Sequence, residues 1–331
     1  MKQNLKYASI LLVVLLAILL PLVMSKFQIY LVTQVIIYSI LGVSYYLLLG
    51  HTGLLSFGHA AFFGVGAYAA ALSLLHLAGP DTPILLAILV GALAGMLCGL
   101  LFGLIVLRLT KIYLAFATLA LSQMIWAVAW KWRDLTGGDD GLTGWAARTV
   151  SMPLIGQFAL TNVTFSYYFV FFFAVLSIAL SWHFTKTSLG NTLAGIKVNS
   201  HRMGFLGVNV NKAKLMVFTF SGLIAGLSGA LFILMKKMVS PHFLDMSTSF
   251  DVLIISVIGG YASFIGPIIG AFIYVYLVEY LSSFTERWQL LVGAFFVLLL
   301  LFYPKGVAGI IGNALRKVSF VSGKGKRCLI S

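Results

Sequence analysis

The chain has 331 residues, 61% hydrophobic and only 9% charged, with 33 glycines and a mean hydropathy of +1.04. Soluble domains carry about a quarter charged residues, so these few charges cannot cover a folded surface in water. That excludes a soluble enzyme, a nucleic-acid-binding module and a disordered tail protein. Lys and Arg number 22 against 8 Asp and Glu, a net charge of +14. The bases gather at the ends of apolar runs, so the excess reads as membrane topology rather than affinity for nucleic acid.

A helix that crosses a bilayer needs about 20 mostly apolar residues. The first such run, 8–24, follows Lys2 and Lys6. No small-residue cleavage site follows Pro21-Leu22-Val23-Met24, so it reads as an uncleaved anchor. Further runs lie near 28–49, 58–77, 84–107, 112–130, 163–183 and 215–235. The stretch 247–304 holds three more, divided at Gly259-Gly260 with Gly266-Pro267 and at Ser282 to Arg287. The expected fold is all-α and polytopic, with about ten transmembrane helices, a membrane domain over 1–314 and a basic tail over 315–331. With the N-terminus inside, Arg108-Leu109-Thr110-Lys111, the loop 184–214 and the tail from Lys305 face the cytoplasm. Together with Lys2 and Lys6 they hold most of the bases and none of the acids. All eight acids, Asp251 and Glu279 included, then fall outside or near the outer ends of spans.

Within the spans, Gly91, Gly95, Gly99 and Gly103 recur every four residues, and Ser221, Ala225 and Gly229 form a second small-residue stripe. Both read as close helix packing. Two segments are unusually rich in glycine: Gly50 to His59, continuing to Gly64, Gly66 and Tyr68, and Gly259 to Gly270. Paired interruptions point to a central site between two related halves. The candidate pathway residues are Ser56, His59, Tyr68, Thr118, Gln123, Gly259 and Gly260. His51 and His59 flank the first interruption as packing or relay groups. The outer loop 131–165 carries Gly137-Gly138-Asp139-Asp140-Gly141, a tight turn over the pore entrance and a weak cation signal. Trp126, Trp130, Trp132 and Trp145 read as interfacial anchors. Cys98 and Cys328 make no disulfide framework.

In the inner loop, Leu189, Leu193, Ile196 and Val198 share a face at helical spacing, with Ser188 as a cap. This short basic amphipathic helix either lies on anionic lipid or docks in the groove of a partner. Gly190, Ala194 and Gly195 favour protein contact.

Several blocks carry a resemblance to a known family. They are Ser188-Leu189-Gly190 with Leu193-Ala194 and Ile196, then Leu206-Gly207-Val208-Asn209-Val210 with Lys214 and Phe218. Earlier come Gly53-Leu54-Leu55-Ser56-Phe57-Gly58, Tyr113-Leu114-Ala115 and Thr136-Gly137-Gly138 with Gly141-Leu142. Later come Gly266-Pro267-Ile268-Ile269-Gly270 and Tyr303-Pro304-Lys305-Gly306. In this order the chain resembles the permeases of branched-chain amino-acid ABC importers, the M-type subunit in particular. The resemblance implies a second homologous permease, two cytoplasmic ATP-binding subunits carrying ATP and Mg, and a soluble solute-binding protein. It implies a bacterial inner-membrane location with both termini cytoplasmic. Ser188, Leu189, Gly190, Leu193, Ala194, Ile196, Arg202 and Gly207 would couple to an ATPase. Related chains often have acidic and small residues after Ile196, where this one has Lys197-Val198-Asn199-Ser200-His201-Arg202.

The chain itself carries no G-x-x-x-x-G-K-[ST] phosphate loop, so no cofactor is expected on it and ATP hydrolysis would fall to other chains. A passive channel for small neutral solutes such as urea or short amides is the competing reading; a membrane-embedded enzyme would need a convergent acid, base or metal set that the sequence does not display. The terminal Cys328-Leu329-Ile330-Ser331 and the Asn162-Val163-Thr164 acceptor are chance matches.

Overall fold

A computed structural model describes residues 20–21, 23–77, 84–109, 112–145, 149–152, 156–159, 163–303 and 306–309. Most of the expected first span and the tail 315–331 lie outside these residues, as do Lys111, Asn162 and Lys305.

Helix α1 (Lys26–Tyr46) opens with a capping box: the Gln28 amide donates to the Ser25 hydroxyl and the Ser25 amide to the Gln28 side chain. It runs on through a π-helical turn at Leu47–His51. The chain then loses helical form at Thr52–Gly58 and restarts as α2 (His59–Leu72), extended by a π turn at Ser73–Leu77. Next come α3 (Ile84–Val106), α4 (Ile112–Lys131), a single turn at Arg133–Thr136, and a hairpin of β1 (Thr149–Met152) antiparallel to β2 (Gly156–Ala159). Helix α5 (Val163–Lys186) leads to α6 (Ser188–Val198) and α7 (Ser200–Phe205). Then follow α8 (Val210–Lys236), α9 (Met246–Gly259), α10 (Gly266–Phe284) and α11 (Trp288–Phe302).

Among the described residues, six helices are long and apolar enough to cross a membrane, and three shorter apolar ones begin at His59, Met246 and Trp288. These nine match nine of the expected spans in order. The all-α expectation holds for the apolar helices, and the loop 131–165 adds the small hairpin.

Helix α8 is the centre of the bundle and packs on α3, α2 and α1. The glycine stripe explains the closeness. A methyl group added at Gly95 would sit 2.5 Å from both Gly222 O and Gly226 Cα, and one at Gly99 would sit 2.5 Å from Phe218 O. Backbones this near trade side-chain volume for many dispersion contacts, the usual source of helix association where lipid removes the hydrophobic drive. Gly229 does the same against the α2 backbone at Phe63.

The order long helix, break, short helix, long helix, helix occurs twice: α1, 52–58, α2, α3, α4, and then α8, 237–245, α9, α10, α11. Packing is exchanged between the halves, with α3 on α8 and α10 on α1. The second break is therefore 237–245, not the glycine-rich 259–270. The latter is a tight turn in which Gly259 packs on the backbone of Gly266 and Gly270, and Gly260 takes φ +101°.

The short helices start inside the bundle. The Ala60 amide, in the first turn of α2, donates to the Ser249 hydroxyl in the first turn of α9 at 3.0 Å. His59 lies beside Ser221, well inside the length of α8, and beside Ser44, in the last turn of α1 before its π-helical extension. From this junction α2 and α9 run toward opposite faces. Asp251 lies in the second turn of α9, close to this junction.

Candidate functional site

The junction is built from five elements. The Phe57 amide donates to Thr118 Oγ1 of α4 at 3.0 Å, and the Gly58 amide to Ser56 Oγ at 3.2 Å. These bonds satisfy amides of the broken segment just before α2, while the Ala60 amide in its first turn goes to Ser249. Ser221 Oγ donates its single proton to Ser44 O at 2.8 Å, so it accepts from His59 Nε2, 3.2 Å away. That fixes the proton on Nε2 and leaves His59 Nδ1 buried without a partner among the described residues. The Tyr45 ring lies edge-on to the imidazole at 4.7 Å, and its hydroxyl is also unpartnered.

Of the residues expected along a pathway, the fold brings Ser56, His59 and Thr118 together, all fully buried. Tyr68 stands further along α2, and Gln123 further along α4. Gly259 and Gly260 belong to the opposite end of α9. Ser249 and Ser221 complete the junction. Sequence reading placed Ser221 only in a packing stripe and missed Ser249, whose bonding partner is 189 residues away.

The loop 184–214 meets the first break and the π turn before it directly. His51 Nε2 lies 2.9 Å from Gly190 O, and Lys197 Nζ donates to Gly50 O. Gly53, at φ +75°, approaches the Lys197 side chain so closely that an added methyl would sit 3.0 Å from Cγ. Gly190 is obligatory, because a side chain there would press on the backbone of Phe184 and Thr185 at 2.5 Å. The cap of α6 is Thr187, one residue before the expected Ser188, and it accepts from Gly190 N at 3.2 Å. Asn199 caps α7 in the same way through Arg202 N.

The amphipathic face expected to meet lipid or a partner turns inward: Gly190, Leu193 and Ile196 are buried within the chain, and Leu189, Ala194 and Gly195 are half-buried. Ser188, Val198, Arg202, Phe205, Leu206 and Gly207 are exposed. Beside them a groove of about 440 Å³ is lined by Ser200, His201, Gly204, Phe205, Val210 and Lys214. Lys197 and Asn199, the departures from the family pattern, thus bind the first break and cap the next helix.

The loop 131–165 meets the second break. Leu142 and Val239 exchange both backbone hydrogen bonds, N to O at 2.8 and 3.0 Å. Gly137, Gly138 and Gly141 all take positive φ, and a side chain on Gly141 would collide with Val239 O. Asp139 and Asp140 are exposed. Trp145 is fully buried and belongs to the main apolar core rather than standing as an interfacial anchor.

A bundle with two interrupted helices meeting at mid-depth, each break held by a loop from its own face, is the build of a membrane permease. Residues 27–302 match the family described as the permease component of branched-chain amino acid transport systems, and the chain belongs to that family. It is 28% identical over 220 residues to the high-affinity branched-chain amino acid transport system permease protein LivM of Escherichia coli K12, a match covering 61% of this chain and 52% of that protein. The LivM protein of Salmonella typhimurium LT2 is 29% identical over a match of the same coverage. The chain thus spans about half the length of the curated relatives it matches. No solved structure matches it.

Proposed function

We propose that the chain is the membrane-spanning subunit of an ATP-driven importer for branched-chain amino acids or a related small polar solute. It pairs with a second, homologous permease in a bacterial inner membrane. Two cytoplasmic ATP-binding subunits supply ATP and Mg chemistry, and a soluble solute-binding protein delivers solute from outside. Both termini and the α6–α7 segment face the cytoplasm. The pathway runs past the junction of α2, α4 and α9.

The observation that carries this reading is the seat of α6 on the first break, through His51 with Gly190 and Lys197 with Gly50. A push on the exposed side of α6 and α7 reaches the start of the interrupted segment through two direct hydrogen bonds, without crossing lipid. ATP-driven closure of partners beneath α6–α7 can in this way alternate access to the junction.

The test is ATP-dependent solute uptake in proteoliposomes holding the whole assembly. Gly190→Glu would wreck the α5–α6 turn, so the informative variants are Arg202→Glu and Phe205→Asp, both on the exposed side. Each should leave the chain in the membrane and reduce uptake more than about tenfold, the effect of reversing a charge or burying one at a docking surface. Unchanged uptake in both variants sinks the coupling assignment. Solute flux through the purified chain without ATP overturns the importer reading in favour of a channel.

A further inference from the structure

One exposed face of α5 changes character along its length. Phe172, Val175, Ala179, Trp182 and Lys186 follow one another in steps of three and four residues, so they share a side of the helix, and all five are exposed. The apolar part ends on Trp182. Lys186 comes next, with its Nζ 4.8 Å from the centre of the indole ring. The other side of this helix end is fixed: Phe184 stacks on Phe220 of α8 at 4.4 Å, and the Thr185 hydroxyl donates to Trp182 O at 2.7 Å. The Trp182 ring lies edge-on to Phe264, in the turn before α10, at 5.0 Å, and Phe264 lies edge-on to Tyr46 of α1 at 5.5 Å. Ile265, the residue after Phe264, is exposed.

Charge decides what covers this face. Exposed apolar residues on a spanning helix meet acyl chains, and an ammonium group at their end calls for an anion. The neighbouring elements supply none. No Asp or Glu occurs at residues 141–244 or 252–278, which takes in α5, α6, α7, α8 and the turn 259–266. Among the described residues no carboxylate pairs with Lys186. The order apolar stripe, indole, ammonium matches a phospholipid read from acyl chain to phosphate, since indole rings settle at headgroup level and a Lys just beyond reaches the phosphate.

We propose that Trp182 and Lys186 form a headgroup site for an anionic phospholipid, with one acyl chain lying along Ala179, Val175 and Phe172. The phosphate accepts from Lys186 Nζ, whose N–H groups the indole contact does not consume. His183, exposed at the same helix end, adds a second polar contact. The site adjoins the seat of α6, because Gly190 lies close on the backbone of Thr185. A lipid held by Lys186 thereby steadies the α5–α6 turn. The site belongs to this chain whichever solute the chain carries.

The test uses the full-length chain in mild detergent, titrated with phosphatidylglycerol, phosphatidylcholine or inorganic phosphate, with retained lipid counted by native mass spectrometry. One phosphatidylglycerol should be retained at a concentration about tenfold lower than phosphatidylcholine, the discrimination of one charge-assisted contact. That lipid should be missing from Lys186→Gln and present in Lys186→Arg. It should also be present in Lys212→Gln, which removes an exposed base elsewhere. Equal retention of the two lipids, or an equal loss in Lys186→Gln and Lys212→Gln, overturns the site. Displacement of the lipid by millimolar inorganic phosphate overturns it too, in favour of a site for the free anion.

Discussion

Ser221 is the residue on which the junction closes. Its hydroxyl accepts from His59 Nε2 and donates to Ser44 O, so one small side chain ties α2, α8 and α1 together. Removing it by Ser221→Ala leaves the His59 N–H buried and unpaired, at a cost of about 1–3 kcal/mol. The thermal unfolding midpoint in mild detergent should fall clearly. Ser282→Ala, which deletes an exposed hydroxyl bonded to Glu279 O, should leave it in place. Equal shifts in the two variants would deny Ser221 this role. At this scale the sequence was partly legible. Ser56, His59 and Thr118 stood out because polar side chains are rare in apolar runs. Ser249 did not, because its one bond joins residues remote in the chain. Asp251 was read as an outer-end residue because a span counted from hydropathy starts at the face of the membrane. Helix α9 instead starts inside.

At the scale of elements, the contact of α3 with α8 rests on glycine. Gly95→Leu would drive a side chain into the Gly222 carbonyl and the Gly226 Cα. Small-to-large changes in a tight core typically cost about 1–3 kcal/mol, and more where, as here, backbone is the obstacle. The expected outcome is loss of the monodisperse peak when the chain is extracted and followed by fluorescence-detected size exclusion. Gly293→Leu should behave as the unaltered chain, since nothing lies within 4 Å of an added methyl there. If both variants extract alike, the packing argument fails. The spans and the glycine stripe were legible because hydropathy and four-residue spacing act locally. The second break was not. Residues 237–245 contain no glycine, and the helix ends on Lys237 at φ +59°, a conformation that normally selects glycine or asparagine. Glycine at 259–270 drew the eye to a turn instead. Helix α6 teaches a related lesson. Its 3.6-residue period announces a buried face without saying what buries it, and here the chain's own break does so.

Across the whole molecule the two breaks are held from opposite sides. Helix α6 grips Gly50 and His51, and the outer loop grips Val239 through Leu142. The two restarted helices touch through Ala60 and Ser249. The second break also packs on α2 directly, Leu244 and Phe243 lying against Gly64 and Phe63, so the two breaks are joined by side-chain packing as well as by this hydrogen bond. If alternating access works through this linkage, the outer grip has to change during transport. Leu142 and Val239 exchange both backbone bonds, a pairing with Cα atoms about 5.5 Å apart, inside the span of about 4.4–6.8 Å that a disulfide bridges. Leu142→Cys with Val239→Cys, in a Cys328→Ser background, should crosslink readily under mild oxidation, with buried Cys98 unreactive. Oxidised proteoliposomes of the assembly should then lose most ATP-dependent uptake, and a reductant should restore it. Full uptake by fully crosslinked protein would mean that the outer break stays fixed through the cycle, and that motion is confined to the inner end, where α6 meets Gly50.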